Sequence, residues 1–288
     1  MKAVMVGVVA LTLGAILGTA MPARADEAEA HYRAALVHKQ AGRLEDALRE
    51  ARAAIRARPS HAPAHFTAGA LLRRMGRLEP ALACFQAVTR MQPNHAPGHA
   101  MVGAVLVRLN RFEDAIAPLQ RATELDPADS SSWGNLGAAY RRLDRVEAAV
   151  QTYRAGLRRT PLDPGLLNNL AVALNQQRRY EEAITLLVQA LSQTEGDYQM
   201  HLNLAIALRS ANRFEEAVTY YRSALNLQAN DPTALYDLGV CLEQLGRADE
   251  AIEVYRRYVG VVRAQDPAAA ARVEETIQSL SGRRRRGR

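Results

Sequence analysis

The sequence is short of several things that chemistry or a β-sheet would need. Aromatic residues make up 5% of it, with a single tryptophan, while alanine is abundant. That balance favours close-packed helices over a sheet protein. There are two cysteines, Cys84 and Cys241. They are expected as buried apolar fillers rather than a disulfide, because the periodicity described below sets them at opposite ends of an elongated molecule. There is no glycine-rich phosphate loop, no activated Ser or Cys motif, and no carboxylate pair outside periodic structural positions. Nothing supports catalysis, and no cofactor is implied.

Acidic residues are also missing from one end: no Asp or Glu precedes residue 26. Met1 and Lys2 lead into an uncharged apolar run from Ala3 to Ala20, followed by the expected helix breaker Pro22 and the small-x-small triplet Ala23-Arg24-Ala25. This pattern reads as a secretory signal peptide over 1–25, cleaved after Ala25. An uncleaved membrane anchor is the alternative. Arginine outnumbers lysine 35 to 2, the codon bias of a GC-rich, bacterial genome. The expected location is therefore exported, periplasmic or secreted.

The net charge of +7 misleads. Without Lys2 and Arg24, 35 basic residues face 30 acidic ones, and five of the basic residues are Arg283, Arg284, Arg285, Arg286 and Arg288. The remaining body balances at 30 against 30. The charge belongs to a tail rather than to a nucleic-acid-binding face.

What the chain has in abundance is a 34-residue period. Ala47, Ala81, Ala115, Ala149, Ala183, Ala217 and Ala251 recur without insertion, and Pro59, Pro93, Pro127 and Pro161 keep the same spacing. A second column holds only small residues: Ala35, Gly69, Gly103, Gly137, Ala171, Ala205 and Gly239. Small residues let helix backbones approach. The residue four beyond each alanine (Ala51, Phe85, Leu119, Tyr153, Leu187, Tyr221, Tyr255) fills the space between them. Turns such as "GRLEDA", "NRFEDA" and "DRVEAA" open on Gly, Asn or Asp, which tolerate a left-handed helix cap, Arg178 being the exception. The unit is an antiparallel helical hairpin.

The stretch "WGNLGAAYRRLDRVEAAVQTYRAGLRRTP" (Trp133 to Pro161) resembles the tetratricopeptide repeat at its Trp, Leu-Gly, Tyr, Ala, aromatic and Pro positions. The chain is identified as a member of that family, of an exported bacterial type. The resemblance implies an all-α, right-handed α-solenoid of seven tetratricopeptide hairpins over 26–265. They fall at 28–61, 62–95, 96–129, 130–163, 164–197, 198–231 and 232–265. A capping helix is expected over 266–281, with Val273, Ile277 and Leu280 on one stripe, and a disordered arginine-rich tail over 282–288.

Two His-x-x-x-His pairs, His61/His65 and His95/His99, ask whether this is a metal site. In the repeat register His61 and His95 end one repeat, and Pro63 and Pro97 open the next helix. His65 and His99 then hold the fourth position, where the family places Trp and where Trp133 stands. No Glu follows in zinc-protease fashion, so the pairs read as joints and no metal is expected.

The family binds extended segments on the face of its first helices. The sixth position on that face carries Asn135, Asn169 and Asn203, a column that resembles the asparagine ladder of O-GlcNAc transferase and suits a peptide backbone. Simple frequency of Asn there is the other reading. Positions 12 and 13 carry Arg73, Arg74, Arg108, Arg141, Arg142 and Arg209, suited to acidic groups or, alternatively, solvated helix ends. The Lys and Asn positions of the family's chaperone-binding carboxylate clamp are not filled here. The expectation is a non-enzymatic scaffold for a protein or peptide of unknown identity within an envelope, export or assembly machine. A surface accessory tethered to anionic lipid or polysaccharide by its arginine tail and a metal-dependent enzyme are the competing readings, and no specific nucleic-acid binding is expected.

Overall fold

Small residues and turn residues in a fixed period give helices of fixed length. The computed structural model describes residues 20–194 and 196–286, with side chains placed between 26 and 282. The expected signal-peptide run up to residue 19, and Gly287 and Arg288, lie outside the described residues. The described residues are helical apart from turns, and the chain divides into two units, 1–126 and 127–288.

The first unit holds α1 (Ala20–Gln40), α2 (Leu44–Ala57), α3 (Ala62–Arg74), α4 (Leu78–Met91), α5 (Ala96–Arg108) and α6 (Phe112–Leu125), each packed on the next. The second holds α7 (Ser130–Arg142), α8 (Val146–Leu157), α9 (Pro164–Gln176), α10 (Tyr180–Leu191), α11 (Tyr198–Ser210), α12 (Phe214–Leu227), α13 (Pro232–Gln244), α14 (Ala248–Val262) and α15 (Pro267–Arg286). Here too each helix packs on its successor, and the first helices α7, α9, α11 and α13 also touch in sequence. This is the all-α solenoid class expected from the period.

The columns explain the packing. All seven alanines from Ala47 to Ala251 are 0% exposed. The side chain one turn later is buried against the small-residue column of the same hairpin. A Cβ on Gly137 would lie 2.3 Å from Tyr153 Cε1, and one on Gly239 2.3 Å from Tyr255 Cε1. No Cβ fits at either place without moving a buried ring. Each such ring, removed from water, contributes about 1.5–3 kcal/mol.

Every hairpin turn puts one residue in the left-handed region. In the first unit these are Gly42, Gly76 and Asn110; in the second, Asp144, Arg178, Asn212 and Gly246, with φ between 58° and 75°. The amides of Arg178 and Arg179 then donate to the carbonyls of Asn175 and Leu174, at 3.0 and 2.9 Å, which closes the end of α9. Arg178 alone in this column has a long side chain, at φ 61°. Arg178→Gly is therefore expected to stabilise the protein by about 1 kcal/mol in denaturant unfolding; an unchanged or lower midpoint would refute the strain argument.

Both ends differ from expectation. Pro22 does not break a helix: α1 starts at Ala20 and passes through it. A proline in a first turn lacks only an N–H that has no intrahelical partner. The last helix does not stop at 281. It continues through Gly282 to Arg286, where a disordered tail was expected. Arginine is a good helix former, and positive charge is favoured at a helix C-terminus. Val273 and Leu280 are buried on α14, as the stripe implied. Both thiols are free; Cys241 is buried, whereas Cys84 is only half-buried.

Candidate functional site

The histidine pairs show how the repeat joints are built. His61 is the N-cap of α3 and His95 that of α5; their Nδ1 atoms accept from the amides of Ala64 (3.1 Å) and Gly98 (2.9 Å). Asp129, Asp163, Asp197 and Asp231 do the same for α7, α9, α11 and α13. His65 and His99 lie 3.0 and 2.9 Å through Nε2 from the carbonyls of Pro59 and Pro93. Trp133 donates its indole N–H to the Pro127 carbonyl at 3.0 Å in the same manner. One histidine of each pair is thus a cap and the other replaces a tryptophan. Among the described residues no group of three or more His, Cys, Asp or Glu is placed to hold a metal ion. No described helix is long and apolar enough to cross a membrane.

The first helices of the second unit carry six of the candidate binding residues. Asn135 lies on α7, Asn169 on α9 and Asn203 on α11, all half-buried. Asn135 and Asn169 line one pocket of about 530 Å³ with Ser131, Gly134, Ala138 and Asp163. The pocket exists because its floor is small. A Cβ on Gly134 would lie 3.7 Å from Asn169 Nδ2, so a longer side chain there would meet the amide. Neither Asn135 nor Asn169 has a hydrogen-bond partner among the described residues, which leaves their donors and acceptors available. Asp163 commits Oδ1 to the Leu166 amide at 2.8 Å.

Asn203 differs. Its Nδ2 donates to Asn168 Oδ1 at 2.8 Å, so the column is two open amides and one engaged one. Asn168 stands at the position that Gly134 holds one repeat earlier. A side chain at that position decides whether the facing amide is free.

The arginines are also unequal. Arg141 is half-buried and Arg142 exposed at the end of α7. Arg209 on α11 is already matched: its Nη2 lies 3.6 Å from Asp237 Oδ2, and Tyr221 donates to that same oxygen at 3.1 Å. Burial pushes the Asp237 carboxyl above the usual aspartate range, while Arg209 and Tyr221 pull it down. Burial, and then the Asp237 charge, push the Tyr221 phenol up. Asp237 continues the asparagine column by one more period, a continuation missed by reading that column for amides alone.

The first unit carries the other three. Arg73 and Arg74 end α3 and Arg108 ends α5. Arg74 and Arg108 are exposed; Arg73 is half-buried, with Nε buried and unpartnered. Tyr32 and Phe66 lie against caps and core: Tyr32 5.0 Å from the His61 ring, Phe66 5.4 Å from Phe85. The side chains of Arg283, Arg284, Arg285, Arg286 and Arg288 lie outside the described residues.

The family model for the C-terminal domain of cilia and flagella-associated protein 70 matches residues 7–235, and a tetratricopeptide-repeat model matches 202–270. Among solved structures, a tetratricopeptide repeat protein from Parabacteroides merdae aligns with TM-score 0.66 and 14% identity, over 89% of this chain and 99% of that one. Pseudomonas aeruginosa pilF aligns at 0.62 and 20%, over 74% and 96%. YrrB, a tetratricopeptide protein with an unusual peptide-binding site, aligns at 0.55 and 21%, over 68% and 98%. At these identities the likeness is one of fold. No curated protein sequence matches the chain.

Proposed function

Because the chain belongs to the tetratricopeptide-repeat family, in the group matched by the C-terminal-domain model of cilia and flagella-associated protein 70, we propose that it binds an extended partner segment along the first helices of its second unit. The family fold supports a protein–protein interaction scaffold, and proteins of this kind are generally non-enzymatic. The observation that carries the finer reading is the pair of unpartnered amides, Asn135 and Asn169, on a pocket of about 530 Å³ with a Gly/Ala floor. An extended backbone offers one donor and one acceptor per residue, which two carboxamides at a fixed period can meet. The fold shared with YrrB, whose peptide-binding site is noted above, is consistent with a peptide ligand. Arg141 and Arg142 favour acidic side chains beside that backbone; Arg73, Arg74 and Arg108 offer the same charge in the first unit.

The site of action in this proposal is the bacterial cell envelope, within an export or assembly machine. Cleavage after Ala25 would leave Asp26 and Glu27 in the first turn of α1, where carboxylates offset the new terminal ammonium and suit the helix dipole. Mass spectrometry of the exported protein is expected to give Asp26 as its first residue; intact Met1 in the membrane fraction would overturn export by cleavage. The partner is to be captured from envelope extract with the 26–288 chain. The reading fails if what is captured binds equally well after the amides are removed, a result whose size is derived in the Discussion.

A further inference from the structure

The second unit contains one three-residue arrangement twice. Arg209 on α11, Tyr221 on α12 and Asp237 on α13 recur two periods earlier as Arg141 on α7, Tyr153 on α8 and Asn169 on α9. The intervals of 12 and 16 residues are the same in both. No other repeat of this unit has Arg and Tyr at these two positions: the one between carries Asn175 and Leu187, and the last carries Glu243 and Tyr255.

In the later copy the arrangement is complete. The Asp237 carboxylate takes the Tyr221 hydroxyl at 3.1 Å and faces the Arg209 guanidinium at 3.6 Å. In the earlier copy the cation and the phenol are present and the carboxylate is not. Tyr153 is 0% exposed, and its Oη is buried without a hydrogen-bond partner. Burial pushes the Tyr153 phenol up and the nearby Arg141 guanidinium offsets part of that, yet the two form no hydrogen bond of good geometry. Arg141 has no carboxylate partner among the described residues. Asn169 holds the place of Asp237, and a neutral amide cannot neutralise a guanidinium.

We propose that Arg141 and Asn169 form a receptor for one carboxylate of the bound segment, an Asp or Glu side chain or a chain terminus. Asp237 fills the equivalent place within the protein itself. The inference rests on the groove reading above and sharpens it: the acid-binding arginine is Arg141, and Arg209 is occupied from within. Asn169 lines the pocket, and Arg141 stands where its later counterpart Arg209 faces Asp237 at 3.6 Å, so a carboxylate beside Asn169 is within reach of both.

Exchanging the two residues tests this. The probe is capped hexaglutamate, with capped hexaglutamine at equal ionic strength as the neutral control, added to the 15N-labelled 26–288 chain. Hexaglutamate is expected to move the Arg141 Nε–H resonance. Asn169→Asp places a carboxylate beside Arg141 in cis and is expected to lower hexaglutamate affinity about tenfold or more, the size of one lost charge-assisted contact. Asn169→Ala removes the amide without adding charge and is expected to lower it less. Asp237→Asn frees Arg209, whose resonance is then expected to respond as well, with affinity rising. If hexaglutamate leaves Arg141 unmoved, or Asn169→Asp binds it as tightly as the parent, the carboxylate receptor is wrong. Equal binding of both peptides, weakened by Asn135→Ala but indifferent to Asn169→Asp, would sink the receptor and leave the groove reading standing. Binding of neither peptide would sink both.

Discussion

Tyr153→Ala is expected to lower the free energy of unfolding by about 3–5 kcal/mol, the range for removing a large buried aromatic. The ring is 0% exposed and fills the hairpin between α7 and α8 directly over Gly137. Gly137 has no side chain to move into the space, so the cavity cannot close from that side. The core around it is set by Ala149, Leu166 and Leu170, which are anchored by their own helices. Tyr153→Phe is the matched control. It keeps the ring and removes a hydroxyl that is buried without a partner, so it is expected to leave stability unchanged or slightly raised. Tyr221→Phe differs, because Asp237 then loses its donor; it is expected to cost about 1 kcal/mol or more. Denaturant unfolding of the three variants checks this order. A loss below about 1 kcal/mol for Tyr153→Ala would mean that the ring does not hold the hairpin together.

Replacing Asn135 and Asn169 together with alanine is expected to weaken partner binding by about 5- to 150-fold. Each amide lost from a peptide backbone removes one hydrogen bond at about 0.5–1.5 kcal/mol, a total of about 1–3 kcal/mol for the pair. Neither side chain has a hydrogen-bond partner among the described residues, so the free chain should keep its stability and its circular dichroism. Asn203→Ala tests the asymmetry of the column. Its amide is engaged by Asn168, so its removal is expected to reduce binding less, by at most a few-fold. Calorimetry with the captured partner decides the matter. A double variant that stays folded and binds as the parent does would move the partner away from the first-helix face.

The helical hairpins were legible in the sequence because each column has a single mechanical task. Seven alanines mark seven close contacts, and the Gly, Asn and Asp of the turns mark left-handed caps; even the odd member, Arg178, takes the same conformation at φ 61°. The role of His61 and His95 was legible too, but only by comparison down the column to Asp129, Asp163, Asp197 and Asp231, whose capping is obvious. Adjacent pairs such as His61 and His65 suggest chemistry; the column reveals architecture. What period alone does not carry is contact between side chains of neighbouring repeats. Whether Asn203 meets Asn168, or Arg209 meets Asp237, depends on which side chains two neighbouring helices bring face to face, and the period is silent on that. The division at residue 126 leaves no mark in the period, which runs through it unbroken. The run of α15 to Arg286 was hidden by reading four arginines as a charge rather than as helix formers.

Within each unit, substantial packing joins a helix to the next one in the chain or the next but one. Loop closure therefore costs little anywhere, and a fold of such local contacts forms quickly. A chain released N-terminus first, from a ribosome or a secretion channel, can condense one hairpin at a time while the rest is still threading. No stretch has to wait exposed for a distant counterpart, so the interval in which sticky surface is on offer to other chains stays near the length of one hairpin.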